Sequence, residues 1–168
     1  MAVRTMLNNF QGKPTDTPFI EKNGWLGDAN VGLDMFNFNF NLNQLLTKFV
    51  GDMNDGQLEN GDVPVMVPRA DNWNSGAVDV AVWNTLFINC PTSLWNIYGN
   101  KTLLTEQYDK MRALALKQIA DSKSHGWTWY DDQYADWVSP MGSVGSDYKE
   151  RPPEGAAICG TAYVYKAL

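Results

Sequence analysis

Three carboxyls and a tryptophan crowd the stretch DTPFIEKNGWLGD: Asp16, Glu21, Trp25 and Asp28. Carboxyls this close can divide labour, because one held protonated donates to a leaving oxygen while an ionised one activates water. An indole beside them offers a flat apolar face, on which the C–H face of a sugar can stack while its hydroxyls bond the acids. Acid–aromatic neighbours recur downstream: Trp73 beside Asp71, Trp127 and Trp129 before Asp131, and Asp136 followed by Trp137. Packing is the competing role for these rings, since tryptophan buries a large apolar area. Asp28 has its own structural alternative as a helix cap, and Asp16 as a turn former before Pro18.

The remaining residue types offer little other chemistry. Cys90 and Cys159 are the only cysteines, without CxxC spacing, and read as buried fillers rather than a bridge or a zinc site. The single His125 cannot build a metal cluster or complete a Ser/His/Asp triad with groups the sequence advertises. Catalysis would therefore run on carboxylates, with no metal and no cofactor. A net charge of −6, with Lys and Arg scattered, argues against nucleic acid and anionic membranes as partners and favours a neutral or cationic ligand. No stretch approaches the roughly 20 apolar residues of a membrane span, and MAVRTMLNNF is too short in apolar residues for a secretory leader. The chain reads as soluble, with its compartment open.

The elements that must hold these residues read as helices. FNFNFNLN, residues 36–43, alternates with period two, but a wider window shows Val31, Met35, Phe38, Leu42, Leu45 and Phe49 at helical spacing. The expectation is one inner helix of about 20 residues beginning near Asp28, with Phe36 and Phe40 off the stripe. From Gly51 to Ser75, Gly, Pro, Asn and Asp leave little room for regular structure, and so long a connection is expected to line a site. Val82, Leu86, Asn89 and Ser93 resume helical spacing, which stops at Tyr98-Gly99-Asn100. The segment from Lys101 to Ser122 follows as an outer amphipathic helix, with Leu103, Tyr108, Met111, Leu114, Leu116 and Ile119 on its core side. The two make an antiparallel hairpin. AAICGTAYVYKAL is the last helical pattern, and no strand is expected. The fold class is all-α: helical hairpins with long site-forming loops in one domain, residues 1–168.

The opening stretch resembles the signature of the α-L-rhamnosidases of glycoside hydrolase family 78, roughly Asp-Cys-Pro-x-x-Glu-x-x-Gly-Trp-x-Gly-Asp, with the spacing of all three acids kept. The likeness continues in order: MFNFNFNLNQLLTKFVGDMNDGQ is similar to the family's next inner helix and ENGDVPVMVP to its following loop. LWNIYGNKTLL resembles its hairpin corner, ADW its Gly-Asp-Trp, and GTAYVY its Thr-Ala-Tyr helix.

The resemblance implies an (α/α)6 six-hairpin barrel, of which residues 1–168 would form the N-terminal half, and inverting cleavage of terminal α-L-rhamnose without a cofactor. It implies Glu21 as general acid, with Asp16, Trp25, Asp28, Asp136 and Trp137 as substrate-binding residues. Like charges on Asp16 and Asp28, with the tryptophan helping to exclude water, would help a glutamate there keep its proton. The partner would be a rhamnose-containing oligosaccharide or glycoside.

The sequence also departs from the family. Trp-Gly-Asp-Ala becomes Trp83-Asn84-Thr85-Leu86 and Pro-Trp becomes Pro91-Thr92, so a pocket acid and an aromatic are missing unless Asp79 substitutes. The opening cysteine is Thr17. The family's general base belongs to the second half of the barrel, and Glu59, Glu106, Glu150 and Glu154 match no corresponding motif. Alone, the chain is expected to be inactive or weak, and its exposed inner-helix surface, including much of the Phe36 to Phe49 face, invites self-association. Two further readings stand beside this one. One is a noncatalytic carbohydrate-binding or assembly module using Trp25, Trp129 and Trp137; the other is an α/α-barrel hydrolase or lyase for another sugar.

Overall fold

A computed structural model describes residues 1–69, 80–129 and 156–168. All regular elements among them are helices: α1 (Ala2–Asn9), α2 (Leu26–Asn39), α3 (Asn43–Gly56), α4 (Ala81–Asn84), α5 (Leu86–Tyr98), α6 (Lys101–Ser124) and α7 (Ala156–Ala167). α5 occupies the centre, packed on α2, α3, α4 and α6, while α4 also meets α2 and α7. Asp136 and Trp137 lie outside the described residues, as do Asp71, Trp73, Asp79 and Asp131.

The single long helix expected from the stripe is two. α2 stops at Asn39; Phe40 is extended (φ −141°, ψ 151°), and α3 starts at Asn43. Leu42, Leu46, Phe49, Val50 and Met53 are buried along α3, so its spacing carries the helix through Gly51–Gly56, where turn residues had suggested irregular chain. On α2 the stripe is on the wrong side. Val31 and Phe38 are 66% and 86% exposed and Met35 is exposed too, whereas Leu26, Ala29, Leu33 and Phe36 are buried. The aromatic expected off the stripe is thus in the core, its ring 5.1 Å from Phe10 in an edge-on contact. With Phe36, Leu46 and Phe49 buried, the surface left open on this side belongs to Val31, Met35 and Phe38 instead of the Phe36 to Phe49 face.

The cause is polar packing that an apolar count cannot see. Asn30 and Asn37 complete the buried face of α2. Asn30 Nδ2 donates to the Val82 carbonyl (2.6 Å) and to Thr85 Oγ1 (3.0 Å), and Asn89 donates to Asn30 Oδ1 (3.1 Å). Asn37 donates to Ser93 (3.0 Å) and accepts from the Tyr98 hydroxyl (3.3 Å). Most buried amides are satisfied in this way. α6 likewise turns polar side chains inward. Its buried face is Leu103, Gln107, Met111, Leu114, Gln118 and Ser122, and Tyr108 and Leu116, expected on the core side, are exposed.

The α5–α6 corner forms as the Tyr-Gly-Asn sequence predicts. Gly99 takes the left-handed conformation (φ 69°) that ends α5 without steric cost. Asn100 then caps α6, accepting from the Leu103 N–H (3.2 Å), while its amide donates to Asn43 and Thr47 of α3.

In the connection between α3 and α4, residues 61–67 are all buried. A buried loop must place its backbone groups. Here the Val65 carbonyl accepts from the Leu26 N–H (2.8 Å) and the Val67 N–H donates to the Gly24 carbonyl (3.0 Å). Asp62 ties the same loop to α6 through Lys117 Nζ at 3.2 Å.

Candidate active site

The acid-bearing loop is closed on itself before α2 begins. The Asp16 N–H donates to the Asn23 carbonyl (3.1 Å), and the Asn23 N–H returns to Asp16 Oδ1 (2.8 Å). Lys22 adopts φ +57°, a conformation that costs a side-chain-bearing residue about 1 kcal/mol and turns the chain back on itself. Within this loop the Glu21 N–H donates to Thr17 Oγ1 (3.0 Å), so the hydroxyl at the motif's cysteine position helps shape the turn. Phe19 and Ile20, just before the acid, are exposed.

Two glycines of GWLG are demanded by close approach. A Cβ on Gly24 would lie 2.0 Å from the Val67 carbonyl oxygen, and one on Gly27 2.4 Å from the Trp83 ring. The segment 65–67 therefore lies against Gly24, and the Trp83 indole fills the place of a side chain at the start of α2. Trp25, between them, is bridged to Met66 by backbone pairing.

The loop brings Glu21 and Trp25 into direct contact: Trp25 Nε1 donates to Glu21 Oε2 at 2.6 Å. The structural alternative for Asp28 is a helix cap. The helix instead begins at Leu26 with Trp25 as its cap residue, and Asp28 stands in its first turn. A carboxylate there still faces the positive end of the helix dipole and its own backbone N–H.

The Asp28 carboxyl is lifted by its surroundings, from 3.8 to about 6. Desolvation is the largest cause; its backbone N–H pulls the other way, and the negative charges of Asp16 and Glu21 push it up further. Asp28 remains in reach of solvent, and the two like charges act in the same direction as desolvation. The structure thus brings Asp16, Glu21, Trp25 and Asp28 together; Asp136 and Trp137 fall outside the described residues.

Other expectations resolve residue by residue. Trp129, expected as a sugar contact in a noncatalytic module, is 1% exposed, packed with Ala81 and Val164 and with its backbone N–H donated to Thr161. It is core and offers no open face to a ligand. Cys90 is buried, its thiol pushed up to about 12 by desolvation, and neither Cys90 nor Cys159 is in a disulfide. No cluster of His, Cys, Asp and Glu able to hold a metal occurs among the described residues, and no described helix is long and apolar enough to cross a membrane. Sequence reasoning missed the supporting residues Asn30, Met66 and Trp83; the close-packed glycines were the one signal that something large must lie against this loop.

This arrangement has the parts for proton donation to an acetal oxygen: a carboxyl fixed by an indole, with two further acids beside it.

The family model described as bacterial alpha-L-rhamnosidase 6 hairpin glycosidase domain matches residues 1–168. An α-L-rhamnosidase of Streptomyces avermitilis is 30% identical over 83% of this chain, and one of Formosa agariphila is 29% identical over 92%. The chain spans only 13% and 16% of the lengths of these two relatives. Among solved structures, the α-L-rhamnosidase of Dictyoglumus thermophilum superposes over 99% of this chain and 18% of its own, with TM-score 0.83 and 25% identity. The Streptomyces avermitilis α-L-rhamnosidase solved with L-rhamnose shares the fold, covering 99% of this chain and 16% of its own with TM-score 0.73 and 23% identity. The all-α, (α/α)6-type architecture expected from the sequence is therefore the right one.

Proposed function

The chain belongs to the family of bacterial α-L-rhamnosidase six-hairpin glycosidase domains, and on that premise we propose that it carries the acid-bearing part of a site that cleaves terminal α-L-rhamnose with inversion. Residues 1–168 are the N-terminal half of the six-hairpin barrel in this reading. Glu21 is the general acid. Asp16, Trp25 and Asp28 bind rhamnose through its hydroxyls and one ring face, and Asp136 and Trp137 add further contacts. The substrate is a rhamnose-containing oligosaccharide or glycoside.

The reaction balances as follows. Glu21 gives its proton to the glycosidic oxygen, and the bond from that oxygen to the anomeric carbon breaks with its electron pair going to the oxygen. Water adds from the opposite face, losing a proton to a second, ionised carboxylate. In this reading that base is assigned to no residue of this chain, because Glu59, Glu106, Glu150 and Glu154 match no family motif. Self-association belongs to the same reading, through the exposed Val31, Met35 and Phe38 of α2.

The observation that supports the proposal is the hydrogen bond from the Trp25 indole to Glu21 Oε2 (2.6 Å), in the loop that Asp16 closes and that runs into the first turn of α2, where Asp28 stands. Its test is rhamnose release by the purified chain from two substrates, an activated aryl α-L-rhamnoside and an alkyl rhamnoside with a poor leaving group. Any release from the alkyl substrate should fall by about 100-fold or more in Glu21→Gln, and that from the aryl substrate by less, because only the poor leaving group depends on the acid. Equal loss on both, or none, removes Glu21 from the acid's role. If the chain releases nothing, autonomous catalysis fails, and binding of L-rhamnose weakened by Asp28→Asn is the remaining expectation.

A further inference from the structure

We propose that Trp25 is a positioning residue that decides which oxygen of Glu21 carries the proton: its indole N–H holds Oε2, leaving Oε1 as the oxygen that delivers it. The inference deepens the reading of Glu21 as general acid and rests on it.

The argument begins with the donor. An indole nitrogen bears a hydrogen and no lone pair, so it can only donate. At 2.6 Å from Trp25 Nε1, Glu21 Oε2 is within a short hydrogen bond. Oε2 offers a lone pair to the indole in either protonation state, and because the carbonyl oxygen of a carboxylic acid is a better acceptor than its hydroxyl, the proton is favoured on Oε1. When the acid acts, the O–H bond at Oε1 breaks, the new O–H bond forms on the glycosidic oxygen, and the carboxylate left behind keeps its bond to the indole. The acid then need not rotate between protonation states.

Both partners are held from outside the bond. The backbone on either side of Trp25 is held: Val67 donates to Gly24, Leu26 donates to Val65, and Gly24 has no room even for a methyl. Glu21 is held by its N–H on Thr17 Oγ1 and by the Asp16–Asn23 closure on either side of it. The two side chains, four residues apart, are neighbours without a helix between them, because Lys22 turns the loop back. This assignment also separates two uses of the one ring. The edge is engaged with Glu21, and a sugar could meet only a face.

The test reads the bond without turnover. In the chain labelled with 15N at indole, the Trp25 Nε1–H resonance, identified by its loss in Trp25→Phe, is expected downfield and protected from solvent exchange. Glu21→Gln retains an acceptor oxygen and should keep that position; Glu21→Leu removes it and should move the resonance to that of a solvent-exposed indole. In Trp25→Phe the side-chain couplings of Glu21, single-rotamer in the parent, should average over several rotamers. A resonance indifferent to Glu21→Leu, or couplings unchanged by Trp25→Phe, overturns the proposal. Should Trp25→Phe fail to fold, the resonance is assigned from the Glu21→Leu difference, and the contrast between Glu21→Gln and Glu21→Leu decides alone. Failure of the acid assignment is a separate result: the indole resonance behaves as described while Glu21→Gln hydrolyses the alkyl rhamnoside at the parent rate.

Discussion

Asp28 is where residue-scale chemistry has a thermodynamic consequence. Its carboxyl titrates at about 6 in the folded chain against 3.8 for an ordinary aspartate, so between those values the native state holds more proton than the unfolded one. Stability linked to Asp28 is therefore complete below 3.8 and is lost as pH rises through 6. Solvent reaches this carboxyl, which screens the effect to about 1 kcal/mol or less. Urea unfolding at pH 4 and pH 7 should show Asp28→Asn relieving the loss at neutral pH and flattening the slope; an unchanged difference between the two pH values would refute the coupling. The sequence made the three acids legible through their spacing. It could not say that Asp28 would be lifted, because that depends on how the folded loop desolvates its carboxyl.

At the scale of elements, α2 is held by amides as much as by apolar side chains. Asn30→Ala would take a donor from the buried Val82 carbonyl and Thr85 hydroxyl and should cost about 1–3 kcal/mol in urea unfolding. Asn39→Ala, removing a bond from an exposed side chain to the Met35 carbonyl, should cost about 0.5 kcal/mol or less. Equal costs would mean that the buried bonds add nothing to the packing of α2 on α5. The same amides explain the misplaced stripe: every third or fourth apolar residue was visible in the sequence, but a buried asparagine reads as surface. The corner at Gly99-Asn100 was legible because its signal is local, a left-handed glycine followed by a capping side chain.

At the scale of the whole molecule, α2 and α7 both pack on α4, and each carries exposed apolar side chains: Val31, Met35 and Phe38 on α2, Ile158 and Tyr165 on α7. Large apolar side chains left in water favour association. Sedimentation equilibrium of the chain should show mass rising with concentration, and Val31→Ser combined with Phe38→Ser should return it towards the monomer. Association undiminished by that pair would place the contact elsewhere.

The sequence by itself determined the helical class, the family likeness, and the spacing that sets Asp16, Glu21, Trp25 and Asp28 within reach of one another, because each of these is written in local periodicity or in short-range motif. It also left GWLG as a motif without a reason. Only the tertiary structure supplied one: a buried segment, 65–67, lies against Gly24, and Trp83 presses on Gly27. Which face of α2 turns inward, that Trp129 is core, and that the Trp25 indole grips Glu21 were likewise decided in three dimensions. Each depends on a partner distant in sequence or on a loop geometry fixed by such partners, and composition and periodicity carry no record of either.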